Sequence, residues 1–178
     1  VIFAGKFHTG WTFLYPLPFY AVGEKWASPG FLVAIGLLGI GWTVWVAGML
    51  LAIFKKYPLP VAFAWQHLRK SPAVETPPLV LISTISLVGV LLSLATAVVL
   101  LVFYFIEYFS GRAVTNDALL MKNLTFFFGH TLFNEVLYLG LASLYELFPE
   151  VSGRPRFRTT WYVALAWNCT LCFILTAF

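Results

Sequence analysis

Apolar residues run through this chain in four long blocks separated by short polar stretches. Residues 31–54 give 24 consecutive positions without a charge, opened by Pro29-Gly30 and closed by Lys55-Lys56. Residues 79–107 form a second block, entered at Pro77-Pro78 and free of charge until Glu107. Residues 118–148 form a third, apolar but interrupted by Lys122, His130, Asn134, Glu135 and Glu146. Residues 160–178 form the fourth. None alternates with period two, which disfavours a membrane barrel. A helix needs about 20 mostly apolar residues to cross a bilayer, and it satisfies its own backbone there. The pattern therefore predicts an all-α integral membrane protein with four transmembrane helices, over about 31–54, 79–107, 118–148 and 160–178. The second block is long enough to tilt or protrude. The sequence opens on Val1 and closes on Phe178 inside an apolar run, so the expectation is a single transmembrane segment, residues 1–178, internal to a longer polypeptide.

Composition narrows the class. Hydrophobic residues make up 61% and charged residues 10%, against about 25% charged in ordinary soluble domains. Mean hydropathy is +0.88. Too few charged groups remain to cover the apolar surface of a soluble globule of this size. A soluble enzyme, a disordered segment and a disulfide scaffold are excluded. The net charge of +4 does not point to nucleic acid, because no basic run is interleaved with aromatics. The basic residues instead orient the chain. Lys55, Lys56, Arg69, Lys70, Arg154, Arg156 and Arg158 fall on one side, and Lys6, Lys25, Arg112 and Lys122 on the other. The positive-inside rule places loops 55–78 and 149–160 in the cytoplasm, and a prokaryotic plasma membrane is the expected location. Cys169 and Cys172 form a C-x-x-C, but both lie within an apolar helix with no second pair, so they read as small packing residues. His8 and His67 read as solvated loop residues, and Glu107 as a snorkelling carboxylate at a helix end.

The third block carries the chemistry. Polar and ionisable groups at membrane depth are expensive and mark function. His130 lies about 18 Å along the helix from its start. Successive residues turn by about 100°, so Asn134 is rotated only about 40° from His130, and Tyr138 and Tyr145 fall on the same side. Glu135 points about 140° away, toward another helix or a different cavity. Three readings of the stripe stay open. His130 ligates a metal with donors from other helices; the polar groups relay protons; or His130 is hydrogen-bonded between helices without a metal.

Local patterns resemble the catalytic subunit I of the haem-copper oxidase superfamily, especially its B-type branch. Gly10-Trp11-Thr12-Phe13-Leu14-Tyr15-Pro16-Leu17-Pro18 is similar to the family's G-W-T-x-Y-P-P-L segment, with one residue inserted before the tyrosine and Leu17 between the prolines. Phe128-Gly129-His130 is similar to the opening of the copper-ligand motif. Leu144-Tyr145, Phe148-Pro149 and Gly153-Arg154 are similar to the end of that helix and the turn after it. The resemblance covers nearly the whole chain and implies four helices of a bundle of twelve or more. It implies that His130 ligates the active-site copper, that Tyr145 belongs to a proton path, and that Trp11 and Tyr15 sit near the haem-propionate side. It implies high-spin and low-spin haem and copper as cofactors, with most ligands on other helices. The implied partners are the lipid bilayer, other oxidase subunits, and cytochrome c or quinol as electron donor, with no nucleic acid.

The chain departs from the oxygen-reducing pattern H-P-x-V-Y at two positions. The proline is Thr131, and the tyrosine is Asn134. That tyrosine supplies a proton and an electron to oxygen reduction; an amide cannot. Relatives without it are typically nitric oxide reductases, which makes reduction of NO to N2O the expected activity and reduction of O2 to water the alternative. Asn134 also differs from the glutamate usual in cytochrome-c-dependent NO reductases. Tyr138, one turn further on, is a candidate replacement phenol. A transporter or a non-enzymatic scaffold segment is the expectation if no metal is bound.

Overall fold

The computed structural model describes Tyr15 and residues 27–69, 74–111 and 116–176. Helix α1 spans Ala27–Lys56, α2 Leu59–Ala62, α3 Pro78–Ser110, α4 Ala118–Ser152 and α5 Trp161–Thr176; a 3-10 turn covers Trp65–Arg69. Among the described residues there is no strand.

The helix ends follow local chemistry. Lys55 and Lys56 occupy the last turn of α1, where cations complement the partial negative charge of the C-terminus. Pro78 opens α3, a position whose missing N–H costs nothing. Gly111 follows α3 at φ 60°, the left-handed conformation that ends helices most easily with glycine. Asp117 caps α4, its Oδ1 accepting from the amides of Leu119 at 2.7 Å and Leu120 at 2.9 Å. Gly153, at φ 64°, ends α4.

Helices α1 and α3 run a few residues beyond the expected bounds at both ends, and two further departures have local causes. Helix α4 continues past Phe148 to Ser152, with Pro149 inside it. Pro149 cannot donate to the carbonyl of Tyr145, but Ser152 Oγ donates to the Phe148 carbonyl at 2.5 Å and helps close the last turn. The stretch 55–78, expected as a plain loop, contains α2 and the 3-10 turn.

Among the described residues two helices are long and apolar enough to cross a membrane on their own residues: α1 over Pro29–Lys56, and α3. The ionisable residues of α4 lower its apolarity, and α5 is described over 16 residues. Most of α1 is apolar and exposed, Leu37, Leu38, Ile40 and Val44 included. Such a surface suits lipid or neighbouring helices and not water.

The chain forms two compact units, residues 1–44 with 92–130, and residues 45–91 with 131–178. The first has a core of Tyr15, Leu32, Leu100, Tyr104 and Met121, with Phe31, Ile35 and Phe128 against it. Within it Ser93 Oγ donates to the Phe128 carbonyl at 2.8 Å, a direct tie between α3 and α4. The second has a core of Phe63, Ala64, Leu81, Ile85 and Ala164, with Trp167 and Leu171 against it. There Asn168 of α5 clasps the segment before α3. Its Nδ2 donates to the carbonyls of Phe63 at 3.0 Å and Ala164 at 2.7 Å, and its Oδ1 accepts from Trp65 Nε1 at 3.0 Å. Ala64, held at φ 56°, costs about 1–2 kcal/mol of backbone strain that this clasp helps to offset. Cys169 and Cys172 are both free thiols, the first half-buried and the second exposed.

His67 corrects its expectation as a solvated residue. It is buried, because Thr76 folds the chain back over it. The Thr76 amide donates to His67 Nε2 at 3.4 Å, and Thr76 Oγ1 donates to the Val61 carbonyl at 2.6 Å. Gln66 Nε2 adds a bond to Thr76 Oγ1 at 2.7 Å. Burial lowers the His67 pKa from 6.5, with nearby Glu75 opposing the shift. The folded state thus binds fewer protons than the unfolded one, so the stability His67 contributes is present above pH 6.5 and is lost as pH falls below it. Acidification through that window is expected to loosen residues 61–76 selectively. Faster exchange of the Thr76 amide below pH 6.5, absent in His67→Gln, would show it; identical exchange in both proteins would remove His67 as the cause.

Candidate functional site

Helix α4 brings its polar residues to different sides. His130 is exposed on the described surface, and its ring stacks on Phe126 of the preceding turn with centroids 5.0 Å apart and planes 15° from parallel. That arrangement follows from the i, i+4 spacing, which sets side chains one above another. Asn134, Tyr138 and Tyr145 are half-buried and belong to the second unit, while His130 belongs to the first. Tyr138 lies edge-on to Trp167 of α5, with centroids 5.5 Å apart. Tyr145 lies against Phe157, at 5.4 Å. The two phenols are thus held by different partners.

Glu135 sits elsewhere, as the helical arithmetic predicts. It is fully buried, on the face that also buries Thr131 and Ala142. Its neighbour on α3 is Gly89. A Cβ at Gly89 would fall 2.9 Å from Glu135 Cγ and closer still to the carboxyl group. Ser86, one turn earlier on α3, approaches the same carboxyl but stays outside hydrogen-bonding geometry.

At the other end of α3, Glu107 corrects its expectation as a snorkelling side chain. It is buried. Tyr15 Oη donates to Glu107 Oε1 at 2.7 Å, and Asn116 Nδ2 donates to Glu107 Oε2. The Asn116 amide in turn donates to Tyr15 Oη at 3.2 Å. Tyr15 also packs on Tyr104, with ring centroids 5.9 Å apart. A buried carboxylate with two donors is a satisfied structural group, and this one ties Tyr15 and Asn116 to α3. Sequence reading missed it because its partners stand 92 and 9 positions away. Trp11 lies outside the described residues.

Among the described residues no three His, Cys, Asp or Glu side chains converge to hold a metal. His130 offers one imidazole nitrogen, a donor type suited to copper, but one donor does not make a site. As to known proteins, neither the curated sequences nor the solved structures returned a match. A protein family does match, and over every residue from 1 to 178: Cytochrome C and Quinol oxidase polypeptide I. With two helices fit to span a bilayer and an imidazole in the third long one, the chain belongs to that family of integral membrane oxidoreductases, the subunit I of haem-copper oxidases.

Proposed function

We propose that these helices are the copper-side part of the catalytic subunit of a respiratory haem-copper oxidoreductase that reduces NO to N2O. The observation that carries this reading is Asn134, four residues after His130. Two NO, two electrons and two protons give N2O and water, a reaction that needs no phenol to supply a further electron. An amide at that place donates and accepts hydrogen bonds without redox chemistry.

In this reading His130 is one copper donor of several, the remainder and the haem ligands coming from other helices. Its position on an exposed face of α4 suits a ligand completed from outside these residues. Bound haem and copper would supply electron transfer and binding of the gas. Asn134 would offer hydrogen bonds beside them, and Tyr145 would mark part of a proton path. Trp11 and Tyr15 would lie on the haem-propionate side, with Glu107 accepting a hydrogen bond from Tyr15. Lipid surrounds the subunit, other oxidase subunits attach to it, and cytochrome c or quinol delivers electrons. Loops 55–78 and 149–160 face the cytoplasm of a prokaryotic cell. Family membership favours this redox reading over a transporter or scaffold segment.

Reduction of O2 to water is the second reading, favoured by Tyr138. That phenol is one turn beyond Asn134 and half-buried, although Trp167 holds its ring toward α5. Anaerobic turnover with NO, then turnover with O2 on the same preparation of the intact enzyme, separates the two. N2O formation well above oxygen consumption is expected. The reverse ranking would discard NO reduction, and dependence of that oxygen reduction on Tyr138 would establish the second reading.

A further inference from the structure

The second unit contains a polar cluster that the redox reading does not use. Ser86 and Gly89 share one face of α3, three positions apart, and Thr131 and Glu135 share one face of α4, four apart. Ser86, Thr131 and Glu135 are each fully buried, at 0% exposure. Ser86 Oγ, Thr131 Oγ1 and both carboxyl oxygens of Glu135 lack a hydrogen-bond partner among the described residues. Gly89 makes the arrangement sterically possible, since any Cβ there would occupy the space of the carboxyl. Among the described residues no salt bridge to Glu135 is formed. Between residues 78 and 91, α3 has no ionisable side chain. On α4 the nearest ionisable residues along the chain are His130 and Tyr138, and α5 contributes only Tyr162, Cys169 and Cys172.

A buried carboxylate without a counter-charge or a donor is among the most costly groups a fold can carry; such a group neutralises instead. A neutral acid changes the inventory. It gains an O–H donor while its carbonyl oxygen still accepts; the Ser86 hydroxyl approaches the carboxyl, the Thr131 hydroxyl lies one turn away on the same face of α4, and each can donate and accept. Polar atoms facing one another in this number also suit a bridging water.

We propose that Glu135, Ser86 and Thr131 form a proton-holding site between α3 and α4, in which the Glu135 carboxyl is stored as the neutral acid, hydrogen-bonded to the two hydroxyls directly or through water. When the acid O–H breaks, its proton moves onto a hydroxyl or water oxygen, which passes a proton of its own onward, and the carboxylate left behind takes up the next proton to become the neutral acid again. Only the use of that proton rests on the redox reading, since reduction of NO or O2 consumes protons. Its storage does not depend on the substrate.

Infrared difference spectroscopy of the intact enzyme tests the site. The spectrum of the wild type minus Glu135→Gln, which keeps shape and neutrality, is expected to contain the carbonyl stretch of one protonated carboxylic acid at pH 7. The band should move on transfer to heavy water. The Ser86→Ala/Thr131→Ala double variant keeps the carboxyl and should shift the same band to higher frequency, because the acid loses hydrogen bonds. It serves as the independent measurement if Glu135→Gln fails to assemble. An ionised-carboxylate signal in place of the acid band overturns the proposal, as does a band indifferent to both variants. Loss of the band when sodium is added at fixed pH also overturns it, in favour of a cation site. Failure of NO turnover would leave the band unchanged, so the two assignments fail separately.

Discussion

His130→Ala in the intact enzyme is expected to lose copper and turnover together while the low-spin haem remains. The imidazole is the donor that this helix is proposed to offer the metal, and alanine leaves nothing in its place. Substitution of groups that merely support a metal ligand costs about 10–100-fold in affinity or activity; removal of a ligand should exceed that, so turnover is expected to fall by more than about 100-fold. The structural cost should be small by comparison. His130 is exposed among the described residues and stacks on Phe126, so truncation opens no cavity in the first unit's core. Alanine is also the strongest helix former. Metal content by mass spectrometry and the haem absorbance of the same sample separate the two effects. Full copper with normal turnover would take His130 out of the site, and loss of both haems would mean that the substitution acted on assembly.

The sequence makes some of this legible and hides the rest for identifiable reasons. Helices α1 and α3 are readable because an uninterrupted apolar run has few alternatives in lipid, and the observed bounds extend the expected ones by only a few residues. The direction of Glu135 is readable too, since a rotation of about 100° per residue is fixed by the backbone. What Glu135 meets is not. Gly89 lies on another helix, 46 positions earlier in the chain, and no local rule pairs them. His67 and Glu107 were misread for the same cause. A polar residue beside a loop or a helix end is solvated by default, and only long-range partners, such as Tyr15 for Glu107, reverse that default. Pro149 shows the converse limit. The local rule stops a helix before proline, but one lost hydrogen bond near a helix end is tolerated when Ser152 helps to close the last turn.

Gly89→Ala should be among the most destabilising single-methyl changes in these helices, although alanine is ordinarily preferred over glycine in a helix by about 1 kcal/mol. The reason is the carboxyl opposite. The new Cβ would stand 2.9 Å from Glu135 Cγ and nearer to its Cδ and Oε1, so α3 and α4 must separate or Glu135 must change rotamer. Overpacking alone costs about 1–3 kcal/mol, and pushing a polar group into apolar surroundings adds about 1–3 kcal/mol. Gly36, Gly39 and Gly41 of α1 have open space where a Cβ would go; alanine there should be neutral or slightly stabilising, which makes them internal controls. Replacing the obstacle should reverse the sign. In Gly89→Ala/Glu135→Ala the space vacated by the carboxyl admits the methyl, and the double variant should recover much of the loss, with a coupling energy of about 1–3 kcal/mol. Thermal unfolding of the four proteins of this cycle, followed in the intact subunit under one set of detergent conditions, measures that coupling directly. Additive effects would mean that Gly89 and Glu135 do not touch, and the packing of α3 on α4 in the second unit would then have to be redrawn.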